Sequence, residues 1–429
     1  MKKIHVSLAL FAFAISSLVQ AIPAFAKPNK QELDTFYKLL DNLSSETGAY
    51  LDNKIKVGKD LADWYELQTF FRMRIPYYKP QDIFMSARAA ARAEPKNAHV
   101  LVTYAISLMF LKKYQAAQEF LDRVLKADPK NARALAAQAY LFAEQNSNED
   151  LAQDEMKTAV KLSPLDTTVN HLALMFYRKT FDYDSAKAAL NRWISAHPND
   201  LYPRMLLAEL LRTARHRDES IKVCREVIAM KPSLEWAHHT LISAAYDKQD
   251  YKTVVSAITE LFNKIPSDRQ NFDLINRRAE SYKHLQQYDK AMADYSAGCE
   301  ALIPGNKDKL PAELPKVHDK VRRAYLQNWI GRASMRIKTG NAQKASEDLS
   351  QVLRMFPSNT GALQIRIQAY EALKKYDLAL MDADTLIKKD TDVAEWYKIK
   401  ASIQRKMGKE VDAQATEKRL KRVNEFGTR

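Results

Sequence analysis

His238 and His239 are adjacent imidazoles, a side chain that binds transition metals, in a stretch that reads as helix. Successive residues on a helix point about 100° apart, so one ion does not readily take both, and no metal is expected. The sequence contains no Gly-x-Gly and no Walker loop, and it also lacks His-Glu-x-x-His, Cys-x-x-Cys and Gly-x-Ser-x-Gly. Phosphate-cradling, zinc-peptidase and nucleophile-elbow chemistry therefore have no sequence to stand on, and neither an enzyme nor a cofactor is expected. What remains is charge: Lys418, Arg419, Lys421 and Arg422 stand close together near the end of a chain whose formal net charge is +15. Residues 305–325 contribute +3 of it and residues 394–429 contribute +5. Two readings stay open for this basic surface. It attracts an anionic surface such as lipid headgroups, envelope polysaccharide or an acidic partner, or it is a solvated face that keeps the protein soluble.

The elements that carry these residues repeat. Between Asn97 and Ala132, apolar residues fall three and four apart in two runs: Ala98, Leu101, Tyr104, Ala105 and Leu108, then Ala117, Leu121 and Val124. That spacing puts one apolar stripe on each of two helices, and Pro129, which has no amide to donate, ends the second run. Prolines recur at 95, 129, 164, 198, 232 and 266, that is, every 34 or 35 residues. A fixed period of this length predicts a solenoid of stacked helix pairs. Nine glycines in 429 residues and 46% hydrophobic residues suit a helix-rich chain with a long core.

The register resembles the tetratricopeptide (TPR) family, whose repeat has small residues at positions eight and twenty, where the two helices of a unit cross closely. Here those positions read Ala105, Ala139, Ala208, Ala279, Ala333 and Ala401, and Ala117, Ala186, Ala291, Ala345, Ala379 and Ala413. The resemblance implies an all-α, right-handed TPR α-solenoid of about nine to ten helix-turn-helix repeats over residues 60–426. It also implies a scaffold that binds a protein or peptide partner on its concave side, through the second, fifth, ninth and twelfth positions of each first helix. Carried onto this chain, that lining includes His99, Val102, Ile106, Met109 and Arg133, then the candidate groove residues Tyr140, His171, Met175, Tyr202, Met205, Trp236, His239 and Tyr246. Further on it turns polar, with Asp273, Asn276, Glu280 and Lys283. The apolar, aromatic half is the better candidate for a peptide groove. The alternative is that these side chains pack on neighbouring helices or on the chain's own N-terminal segment. The Lys-Asn pattern with which some TPR domains clamp a carboxylate is absent.

The chain opens with Lys2, Lys3, an uncharged run from Ile4 to Val19 and Ala24-Phe25-Ala26, the pattern of a secretory signal over residues 1–26. Cleavage before Lys27 would leave a net charge of +13 and a periplasmic or secreted protein. An uncleaved anchor is the alternative, since residues 4–26 are long enough to span a bilayer. Nucleic acid is not an expected partner of an exported chain. Residues 27–60 read as a capping helix, with Leu33, Phe36, Tyr37, Leu39, Leu40 and Leu43, followed by a polar stretch around Ser44–Gly48. That segment either caps the first repeat or lies in the groove. Residues 61–304 form an N-terminal arm of the array, residues 305–325 a basic, proline-containing insertion that is either a loop or, from Pro315 onward, an N-terminal extension of the next helix, and residues 326–429 a C-terminal arm ending in a capping helix. Cys224 and Cys299 fall on second helices two repeats apart. With units about 10 Å apart, they are beyond the roughly 7 Å reach of a disulfide and read as buried free thiols.

Overall fold

A computed structural model describes residues 45–57, parts of 62–72, 79–302 apart from 199 and 270, then 305 and 319–426. The secretory segment, the residues 33–43 expected as a capping helix, and most of the basic insertion lie outside the described residues. The chain divides into two compact units, one ending at Lys248 and the other starting at Gln249.

In the first unit the helices are α1 (Ser45–Val57), α2 (Pro80–Ala93), α3 (Ala98–Phe110), α4 (Tyr114–Ala127), α5 (Ala132–Gln145) and α6 (Glu149–Leu162), followed by α7 (Thr167–Lys179), α8 (Tyr183–Ala196), α9 (Leu201–Thr213), α10 (Arg217–Met230) and α11 (Glu235–Asp247). In the second they are α12 (Tyr251–Lys264), a 3₁₀ turn (Pro266–Gln270), α13 (Phe272–His284), α14 (Tyr288–Leu302), α15 (Asp319–Lys338), α16 (Ala342–Met355), α17 (Thr360–Ala372), α18 (Tyr376–Lys389), α19 (Ala394–Lys406) and α20 (Glu410–Phe426). No strand occurs among the described residues, and none of their helices is long and apolar enough to cross a membrane.

Local chemistry sets where the helices start. Asn97, Asn131, Asp166, Asp200 and Asn359 each stand two residues after a proline, and each side chain accepts a hydrogen bond from a backbone N–H in the first turn of the helix that follows. A cap of this kind contributes about 1 kcal/mol, so the proline period doubles as a helix-start period. Inside each pair the chain reverses through a left-handed residue, among them Lys112, Phe181, Arg215, Gln286, Gly340, Lys374 and Gly408, with φ between 57° and 84°. The alanines of the repeat register occupy the crossing points. Ala105, Ala117, Ala139, Ala186 and Ala208 in the first unit, and Ala279, Ala291, Ala333, Ala345, Ala379 and Ala413 in the second, are all 0% exposed.

Several details refine the expected arrangement. The stretch around Ser45–Gly48 is helical, the start of α1, whose Leu51 is fully buried and whose Tyr50 ring lies 6.2 Å from Trp64. The described end of the basic insertion, from 319 to 325, is the beginning of α15, which at 20 residues is longer than the 13 or 14 of an ordinary helix here. Alongside its apolar core the second unit carries ion pairs with buried aspartates. Arg278 with Asp294, and Arg366 with Asp382, form forked pairs at 2.6 to 2.8 Å, whereas Arg332 and Arg336 both approach the single oxygen Oδ2 of Asp348, Arg332 at 3.8 Å. Cys224 and Cys299 are free and buried, and burial pushes the Cys224 thiol up to about 12.

Candidate functional site

The residues read as a groove belong to the first unit, on α5, α7, α9 and α11. Tyr202 and Trp236 hold the second position of their repeats. Asp200 fixes the first of these by accepting a hydrogen bond from the Tyr202 N–H at 3.0 Å, so α9 begins with its tyrosine in the first turn. The same register one repeat later puts Trp236 beside it, with ring centroids 6.1 Å apart and planes at 51°. Tyr202 also meets Trp193 edge-on at 5.8 Å, and Trp193 meets His171 at 5.6 Å. Four rings, His171, Trp193, Tyr202 and Trp236, therefore run continuously across three repeats. Centroid separations of 4.5–7 Å with tilted or edge-on planes are the favourable geometries for aromatic pairs.

Trp193 was not among the sequence candidates. It lies on the second helix of its pair, at an ordinary core position, and is 0% exposed. It forms the floor on which His171 and Tyr202 rest, and these, with Trp236, Met175, His239, Tyr246 and Tyr140, are half-buried. Each of these side chains is held by packing while part of its surface stays accessible. Met205 is 1% exposed, so it supports the wall from behind and presents nothing to a partner. His238, the neighbour of His239, is fully buried and bonds through Nε2 to the Pro232 carbonyl at 2.9 Å, so the two imidazoles have separate surroundings.

The earliest repeat does not share this openness. Val102, Ile106 and Met109 are 1%, 4% and 5% exposed and belong to the core with Ala136, Ala137 and Ala139 of α5. The alanine-rich face of α5 lets α3 approach closely, which covers those side chains. Beside them His99 and Arg133 are engaged within the fold: Arg133 lies 2.6 Å from His99 Nδ1 and 2.9 Å from Asp166, the residue that also caps α7. Burial and the Arg133 charge hold the His99 pKa below the usual histidine value. The Tyr140 phenol is pushed up by burial and by Glu144, so it is neutral.

Lys418, Arg419, Lys421 and Arg422 are all exposed on α20, and none pairs with an acidic group among the described residues.

The sequence model of the tetratricopeptide repeat matches residues 80–141, the stretch where the alanine crossings and proline-spaced caps begin. The chain is built of tetratricopeptide repeats. Among curated proteins, chicken (Gallus gallus) DnaJ homolog subfamily C member 3 is 21% identical over 332 residues, which cover 72% of this chain and 58% of that relative. The chain thus matches less than two thirds of the relative's length. Of solved structures, the P58(IPK) TPR domain aligns over 81% of this chain and 98% of its own at 17% identity, with a TM-score of 0.29. Cut9 with Hcn1 from an APC/C hetero-tetramer aligns over 84% and 67% at 14% identity, with a TM-score of 0.41. A TPR fold of this kind is a scaffold for protein and peptide partners, in general without catalysis of its own.

Proposed function

We propose that this TPR protein is exported and holds a protein or peptide partner on the aromatic wall of its first unit. One observation carries the reading: the partly buried rings of Tyr202 and Trp236 touch one another and rest, through Tyr202, on the fully buried Trp193. Rings already fixed by packing lose little conformational freedom when a partner arrives, and tyrosine and tryptophan are the side chains most often found as binding anchors. A photo-crosslinking residue in place of Tyr202, introduced in cells, tests it. The expected product is a discrete adduct with one protein species, weakened by Trp236→Ala. Absence of any adduct, or an adduct indifferent to Trp236→Ala, refutes the reading. Export rests on residues 1–26, and mature protein beginning at Lys27 is the expected result of N-terminal sequencing.

A second reading is favoured by the four cations of α20. An exposed cluster of this kind, making no ion pair with an acidic group among the described residues, would hold the protein at an anionic envelope surface. Changing Lys418, Arg419, Lys421 and Arg422 together to Gln should then weaken sedimentation with vesicles containing phosphatidylglycerol, and added salt should mimic the change. Binding that ignores both treatments leaves the cluster as a solvated face.

A further inference from the structure

In the first unit, α2 and α4, the second helices of their pairs, flank a cavity of about 230 Å³ to which α3 contributes Leu101 and Tyr104. These two hold the fourth and seventh positions of their repeat, so the cavity uses none of the first-helix positions that carry the aromatic wall. Three arginines line it, Arg88 and Arg92 on α2 and Arg123 on α4, and among the described residues no acidic side chain does. Arg88 is half-buried, while Arg92 and Arg123 are exposed. None of the three side chains forms an ion pair or a hydrogen bond among the described residues, and no nitrogen of Arg88 is shielded from solvent. The Arg123 guanidinium lies 5.4 Å from the centre of the Phe120 ring, which in turn meets Tyr104 edge-on at 4.9 Å.

Other arginines of this unit meet carboxylates, as Arg133 meets Asp166 and Arg212 meets Asp247. Arg88 and Arg92 instead stand four residues apart on one face of α2, a placement of like charges that disfavours a helix. The complement of such a set is an anion from outside the chain. The cavity is smaller than the roughly 300–1,000 Å³ of drug-sized sites, so it takes one small ligand or one group of a larger one. Guanidinium forks match carboxylate and phosphate alike. A carboxylate, however, brings a single charge, whereas a phosphate monoester brings about two charges and three acceptor oxygens, and three guanidiniums around one small space favour the larger charge. The Tyr104 hydroxyl makes no hydrogen bond among the described residues and is not one of their solvent-shielded oxygens, so it offers a further donor. The remaining wall, from Ala91, Pro95 and the rings of Tyr104 and Phe120, is apolar and suits a ring or alkyl group that carries the phosphate.

We infer that this cavity binds a phosphate monoester, with Arg88, Arg92 and Arg123 on the phosphate oxygens and the carrier's apolar group against Tyr104 and Phe120. The site depends neither on a partner at the aromatic wall nor on the cations of α20. Its phosphate comes from a free phosphorylated small molecule or from the headgroup of phosphatidic acid, which is also a monoester.

The test titrates phenyl phosphate into the full chain at fixed salt and reads binding by calorimetry. Phenyl phosphate should bind, and methyl phenyl phosphate, a diester with one charge, should bind at least tenfold more weakly. Arg92→Gln and Arg123→Gln should each weaken phenyl phosphate at least tenfold, the usual scale for losing a charge-assisted hydrogen bond. Neither should lower the urea midpoint, because neither guanidinium is paired within the fold. Four results overturn the inference: phenyl phosphate does not bind at millimolar concentration, the diester binds equally well, both variants bind normally, or both variants lose stability. If phenyl phosphate fails while a pentaglutamate peptide binds and is lost on Arg92→Gln, the surface belongs to an acidic protein segment and the phosphate assignment is likewise overturned. Vesicles separate the two sources, using a chain in which the four α20 cations are already changed to Gln. Sedimentation with phosphatidylcholine vesicles only when they contain phosphatidic acid, abolished by Arg92→Gln, makes the headgroup the source. Phenyl phosphate binding without such sedimentation makes it a free monoester.

Discussion

Asp382→Ala probes what holds the second unit together. Asp382 is 5% exposed and receives both arms of the Arg366 guanidinium, at 2.6 and 2.8 Å. Deleting it strands a cation whose side chain is 18% exposed and whose remaining partners are the Ser350 hydroxyl at 3.0 Å and the Tyr370 ring at 5.5 Å. Breaking a buried pair by removing one member typically costs about 3–5 kcal/mol. Partial exposure and those two remaining contacts place the expected loss near the lower end, about 3 kcal/mol. The double change Arg366→Met with Asp382→Leu removes both charges and keeps apolar volume, so it should recover most of that loss, since apolar replacement of such pairs is often neutral or stabilising. Urea unfolding followed by circular dichroism reads both variants, and the midpoint of the transition assigned to the second unit should fall for the single change and return for the double. A single variant within about 0.5 kcal/mol of wild type, the size of an ordinary surface change, would show that the pair is dispensable. A double variant as weak as the single would show that the loss came from packing and not from the stranded charge.

Two further perturbations test the register and the electrostatics of individual repeats. Ala291 is 0% exposed at a helix crossing opposite the equally buried Ala279, so Ala291→Leu should destabilise by about 1–3 kcal/mol through overpacking; an unchanged urea midpoint would mean that the helices do not cross there. Glu155 occupies a slot that is apolar in the usual repeat, and burial, with help from the Asp122 charge, raises its pKa to about 7. Because the folded value lies above the unfolded one, its contribution to stability is full below about pH 4.5 and is lost as pH rises through 7. Glu155→Gln should therefore raise stability at pH 8 relative to wild type and flatten the slope between pH 5 and 8, and a wild-type slope of the opposite sign would refute the assignment.

Much of this architecture is legible in the sequence because each repeat states its own boundaries. A proline followed two residues later by Asn or Asp both stops one helix and caps the next, and alanines at two fixed positions mark where helices cross. The adjacency of Tyr202 and Trp236 follows from the same register. What the register does not give is how tightly a neighbouring helix covers a given face. Met205 sits at a nominally open position and is buried, and Val102, Ile106 and Met109 vanish beneath α5 because its small side chains allow close approach. Trp193 escaped notice for the converse reason: it is a core residue by position, and only its size lets it reach the rings on the first helices. The forked pairs carried a signal that a pattern search can use, since arginine stands sixteen residues before aspartate at 278 and 294 and again at 366 and 382, a spacing shared by the wider pair at 332 and 348. Arginine in a slot that is ordinarily apolar reads as an exception until its partner is found. The cavity with Arg88, Arg92 and Arg123 is hidden for a similar reason, because arginines on second helices read as a solvated face until three of them are found around one space.

The central claim is that the aromatic wall of the first unit is a binding surface and not merely a packed one, and Trp236→Ala tests it most directly. The partner captured through the Tyr202 adduct, once purified, should bind this variant at least tenfold more weakly, the usual consequence of losing a central anchor worth about 2 kcal/mol. The urea midpoint of the first unit should meanwhile stay close to wild type, because Trp236 is half-buried and stands outside the alanine crossings. Unchanged affinity per folded molecule, together with a large fall in that midpoint, would show that Trp236 is core and would contradict the account.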